Sequence, residues 1–76
     1  MNRIRRQQLS KIMEKLEELK DELETLKEEE EDYRDNMPEN LQTSERYEKA
    51  EEACGNLDSA FYGLEEVISY IEEATA

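Results

Sequence analysis

Asp35-Asn36-Met37-Pro38-Glu39-Asn40-Leu41-Gln42-Thr43-Ser44-Glu45 breaks a helical pattern that runs on both sides of it. It holds the only proline of the chain, two asparagines suited to turns, and two hydroxyl residues suited to a helix start. Pro38 disfavours helical geometry at Met37 and lacks an amide hydrogen, so a first helix over about residues 2–36 is expected to stop near Asn36. Ser44 ahead of Glu45 offers an oxygen acceptor and a negative charge where free amides and the helix dipole favour both. The second helix is therefore expected over about 44–74, with a turn over 37–43. A start just after Met37, with Pro38 in the first helical turn, is the competing boundary. Either boundary makes a hairpin.

Outward from the turn, apolar residues fall at Leu9, Ile12, Leu16, Leu19, Leu23 and Leu26, skip Glu30, and resume at Tyr33 and Met37. After the turn they fall at Tyr47, Ala50, Cys54, Leu57, Phe61, Leu64, Ile68 and Ile71. Alternate spacing of three and four is the a/d pattern of packed helices, and no period-two run suggests a strand. The predicted fold is all-α, a coiled-coil-like antiparallel hairpin. With Leu9, Leu16 and Leu23 at a, the first helix carries Met13, Lys20, Lys27 and Arg34 at e. With Cys54, Phe61 and Ile68 at a, the second carries Glu51, Asp58, Glu65 and Glu72 at e. In antiparallel pairs e faces e. Lys20 should approach Glu65, Lys27 should approach Asp58 and Arg34 should approach Glu51, each pair of residue numbers summing to 85. Exposed pairs contribute about 0.2–1 kcal/mol each, so they select orientation more than they stabilise.

The second helix is apolar more widely than one seam requires. Its g row is Ala53, Ala60, Val67 and Ala74, and its c row is Asn56, Gly63 and Tyr70, a surface without charge beside the d row. Burial against another copy, giving a four-helix bundle built through the second helix, is the economical expectation. Ala60 and Gly63 would permit close approach, and Gly55 and Gly63 each cost a helix about 1 kcal/mol relative to Ala. Tyr62, on the b side, is the candidate contact for a foreign partner.

Composition narrows the functional classes. The 76 residues carry 22 acids against 10 bases, a net charge of −12, with no His, no Trp and one Cys. Zinc sites built on Cys and His, His-based nucleophile systems and disulfide frameworks each lack a necessary member, so neither enzyme activity nor a cofactor is expected. Acidity argues against direct binding of nucleic acid or of anionic membranes, and no apolar run reaches the ~20 residues that span a bilayer. Glu28–Asp32 forms no calcium-loop pattern and reads as a solvated helix end. Glu30, at an a position, marks where the seam opens or pairs with Arg34. Cys54, at a, reads as a buried structural thiol, and a lone cysteine without a secretory segment fits the cytoplasm. The first thirteen residues hold four bases and no acid. That composition resembles a transit segment, but the helical pattern continues through it.

The stretch Asp35 to Glu48, with Leu57-Asp58-Ser59-Ala60-Phe61-Tyr62-Gly63-Leu64 beyond it, resembles a group of small acidic proteins encoded by phages and integrated elements of Gram-positive bacteria. The likeness covers nearly the whole chain and implies action inside a bacterial cell, with no catalytic residues to carry over. Two readings follow. In the first, a helical homodimer binds and modulates a bacterial protein, such as a nuclease or defence complex whose basic channel accepts carboxylates in place of phosphates. In the second, the chain is a structural homo-oligomer or scaffold component. The Met37–Thr43 segment suits either a passive turn or a recognition loop.

Overall fold

The computed structural model describes all 76 residues and contains two helices joined by a short turn. Helix α1 is Arg3–Asp35, helix α2 is Glu45–Thr75, and a single 3-10 turn at Glu39–Leu41 lies between them. The chain is an all-helical hairpin with no strand.

Local chemistry accounts for each helix end. Asn2 caps α1, its Oδ1 accepting the Arg5 amide at 2.7 Å. At the other end the Asn36 amide reaches the Asp32 carbonyl at 2.9 Å and the Met37 amide reaches Arg34 at 3.3 Å, which tightens the last turn. Pro38 then takes φ −58° and ψ 147°, turning the chain out of helical geometry. Of the two expected boundaries the Ser44 start is the one that occurs, and the competing start of the second helix just after Met37 does not. The backbone coils once directly after Pro38, with the Leu41 amide on the Pro38 carbonyl at 2.8 Å, and the long second helix starts only at the Ser44 cap. The Ser44 Oγ accepts the Tyr47 amide at 3.3 Å and donates to the Leu41 carbonyl. Glu45 and Glu48 occupy the first turn of α2, where the dipole favours negative charge. No residue has positive φ, so the connection needs no glycine.

The core is thin. Met37, Ala50, Cys54 and Ile68 are the only buried residues, and α1 contributes none. Met37, directly after α1, is the buried residue of the turn. The molecule is a rod of 59 × 15 × 13 Å with a radius of gyration of 17.3 Å. A compact chain of this length would have a radius near 11 Å. Few side chains are shielded on all sides when only two helices pack, so this hairpin's own burial offsets little of its ordering entropy.

Helix α2 packs through its a and d rows as its spacing predicts, but α1 does not. Along α1 the half-buried side chains are Leu9, Met13, Leu16, Lys20, Leu23, Lys27, Glu30 and Arg34 of the a and e rows, with Glu24 and Glu31 beside them at b. The d residues Ile12, Leu19, Leu26 and Tyr33 face outward and expose 46%, 53%, 57% and 47% of their surface. The expected a/d seam of α1 is thus rotated by part of a helical step. Phe61 shows why. The ammonium groups of Lys20 and Lys27 lie 5.5 and 5.8 Å from its ring centre, so cations two turns apart on α1 both contact this one ring. Their aliphatic stems line the seam while the charged heads reach carboxylates at its rim.

Candidate functional site

The rim of the seam tests the charge register directly. Lys20 Nζ lies 3.5 Å from Glu65 and Lys27 Nζ 3.4 Å from Asp58, the two inter-helix pairs that sum to 85. Each lysine also holds a carboxylate on its own helix, Glu17 at 3.6 Å and Glu31 at 3.0 Å. Both lysines keep little solvent exposure, 18% and 16% of their side chains. Desolvation works against the charge on Lys20, and Glu17 and Glu65 outweigh it, so its pKa rises above the ordinary lysine value. The hydrogen bond to Glu31 dominates at Lys27, which rises likewise against desolvation.

The third expected pair does not form. Arg34 Nε donates to Asp35 at 2.9 Å instead of reaching Glu51, although both line one open groove with Glu31, Cys54, Gly55 and Asp58. A carboxylate on the adjacent residue is available without crossing the groove, and the hydrogen bond it accepts raises the Arg34 pKa. Glu30 makes no ion pair with Arg34. It lines an open groove with Tyr33, Glu45, Arg46, Lys49 and Ala50 beside the turn.

With e meeting e along one edge of the hairpin, the α1 d row and the α2 g row emerge together along the opposite edge. That edge carries Ile12, Leu19, Leu26 and Tyr33 from α1. From α2 it carries Ala53 and Gly63, half-buried, and the exposed Asn56, Ala60, Val67, Tyr70 and Ala74. Val67 exposes 45% and Tyr70 63% of its surface, the Tyr70 hydroxyl donating to Glu66 at 3.2 Å. The result is an apolar face along the rod to which both helices contribute. A Cβ added at Gly63 or Gly55 meets nothing within 4 Å, so neither glycine serves close packing inside the hairpin.

Tyr62 lies on a different side, exposed and packed edge-on against Phe61 with ring centres 5.5 Å apart. Cys54 is buried, and burial pushes its thiol pKa up with Arg34 opposing, which describes an inert thiol. No three His, Cys, Asp or Glu side chains are grouped to hold a metal ion. The grooves on the rod are all open to solvent, and no helix is long and apolar enough to cross a membrane.

The sequence pattern pointed to the α2 part of the apolar face and missed the α1 part. The available signal was the e row: Met13, Lys20 and Lys27 have stems long enough to line a seam, which frees the d row. No protein-family model matches the chain, and no curated protein or solved structure is significantly similar to it.

Proposed function

We propose that this protein is a non-enzymatic interaction module that self-associates through the apolar face, two hairpins forming a four-helix bundle with an acidic exterior. The observation that carries this reading is the outward d row of α1, Ile12, Leu19, Leu26 and Tyr33, lying beside Val67 and Tyr70 of α2. Area supports it too. The chain exposes 5877 Å², whereas a compact 9.0 kDa monomer exposes about 4,900 Å². The excess, roughly 1,000 Å², is comparable to the ~800 Å² that each partner contributes to a standard interface. A homodimer would cover the face with the same chemistry it presents. Sedimentation equilibrium across micromolar concentrations tests the reading: a dimer supports it, and a folded monomer throughout refutes it.

A second reading has its own observation. Sixteen of the 22 acids lie within residues 20–65, against five bases there, so 11 of the 12 net negative charges belong to the half of the rod nearer the turn. Such a polarised surface suits a basic protein partner, including a nucleic-acid-binding enzyme of a bacterial cytoplasm, and would speed encounter with it. Pull-down from bacterial lysate at low and high salt separates the two. Salt-sensitive capture of a nuclease or DNA-binding protein supports partner modulation. Self-association with no such capture leaves the structural, scaffold-type role.

A further inference from the structure

We infer that the two copies pack face to face with their turns at opposite ends of the bundle, about a two-fold axis crossing the rods near Gly63. The inference rests on the self-association proposed above and adds the orientation that charge and register select.

Two symmetric ways of stacking the apolar faces exist. With both turns at one end, α1 lies against α2 of its partner copy. With turns at opposite ends, α1 lies against α1 and α2 against α2, each pair antiparallel. Hydrophobic burial alone distinguishes them poorly, because the apolar rows run the length of the rod in either case.

Charge separates them. Residues 20–65 hold 16 acids against five bases, and the rest of the chain holds six against five. Turns at one end would bring two halves of −11 together, setting Glu28–Asp32 of one copy level with residues 53–57 of the other, between its Glu51 and Glu52 and its Asp58. Turns at opposite ends lay each −11 half beside a half of −1. The basic start of α1 adds an independent reason. Arg3, Arg5, Arg6 and Lys11 take part in none of the six ion pairs of the hairpin. Arg3, Arg5 and Arg6, at the N-terminus of α1, also carry charge that opposes the macrodipole. In the opposite-end arrangement residues 3–11 lie level with residues 34–42 of the other copy, which sets this tip beside Asp35 and Glu39 at that copy's turn. Arg5 itself continues the exposed d row of Ile12, Leu19, Leu26 and Tyr33, seven residues before Ile12.

Register agrees. The d row from Ile12 to Tyr33 has its midpoint between Glu22 and Leu23, and the g row from Ala53 to Ala74 has its midpoint between Gly63 and Leu64. Residues summing to 85 lie level in the hairpin, so Glu22 is level with Gly63 and Leu23 with Tyr62. The two midpoints therefore coincide to within one residue, about 1.5 Å along a helix. A two-fold axis perpendicular to the rods must cross both rows at one level, and this one does. It places Tyr33 across from Ile12 of the other copy and Ala60 across from Val67. Gly63, open to an added Cβ and costly in a helix interior, then lies where the two α2 helices cross and can approach closely.

Spin labels on cysteines introduced in the full chain test the arrangement, with Cys54→Ala removing the native thiol and circular dichroism checking that each variant remains helical. A label at Asp21→Cys, near the midpoint of the rod, reports whether dimers form. Copies stacked in either orientation hold these labels within about two helix diameters, roughly 20–25 Å. A label at Asn40→Cys, at the turn, reports orientation. The expected result is a short distance at Asp21→Cys and a long one at Asn40→Cys, approaching the 59 Å length of the rod. Short distances at both positions overturn the opposite-end arrangement and leave self-association standing. No dipolar coupling at Asp21→Cys overturns self-association and the arrangement with it.

Discussion

Leu26→Gln separates the two jobs a leucine can do in this molecule. Leu26 is 57% exposed in the hairpin and does not enter the α1–α2 seam. Full burial of a leucine side chain is worth about 1.5–3 kcal/mol, so the part still exposed represents about 1–1.5 kcal/mol of unused burial. A symmetric dimer uses the position twice. The substitution should weaken association by about 2–3 kcal/mol, roughly 30- to 150-fold in the dimer dissociation constant. The hairpin itself should change by no more than about 0.5 kcal/mol, since an exposed position on a helix tolerates a good helix former. The assay is sedimentation equilibrium on the wild type and on Leu26→Gln over the same concentration range, with helicity followed by circular dichroism. Equal dissociation constants would refute the assignment of the α1 d row to the interface. Loss of helicity at concentrations where both proteins are monomeric would place Leu26 in the hairpin seam after all.

Other consequences follow from the same contacts. Ser44→Ala removes the oxygen that accepts the Tyr47 amide and should lower stability by about 1 kcal/mol, read as a shift in the urea midpoint at unchanged slope. Lys27→Met keeps an apolar stem over Phe61 and loses the ion pairs, so it should be milder than Lys27→Ala, which also uncovers the ring; thermal melts of both variants check the order. Lys20 and Lys27 have raised pKa values in the folded state. Their contribution is therefore complete at neutral pH and should disappear only as pH rises through the elevated lysine range, a loss that stability measurements from neutral to strongly alkaline pH will detect and the Lys20→Gln/Lys27→Gln variant should lack. Cys54, buried with a raised thiol pKa, should react with alkylating reagents much more slowly in the native protein than in urea.

How far the sequence could be read depended on the element. Pro38, Ser44 and the asparagines act through backbone chemistry within a few residues, so the turn and the Ser44 cap were legible without knowledge of packing. The inter-helix register was legible at Lys20–Glu65 and Lys27–Asp58 because opposite charges on facing rows leave few alternatives. The rotation of α1 was not. A row spaced by three and four around Leu9, Leu16 and Leu23 can pack through d or through e, and residue polarity argued for d. Lys20 and Lys27 reverse that choice by lining the seam with methylenes and placing both ammonium groups over Phe61, a contact that exists only once the helices pair. Arg34 failed to reach Glu51 for the opposite reason, a carboxylate being available on its own neighbour. The same rotation moved Ile12, Leu19, Leu26 and Tyr33 from the expected seam to the surface. A mis-assigned core row thereby became the main evidence for an interface.

Sedimentation equilibrium of the wild-type chain across micromolar concentrations tests that interface most directly. The expected result is a helical species of twice the 9.0 kDa chain mass that dissociates on dilution. A helical, stably folded species of 9.0 kDa at every concentration would contradict it.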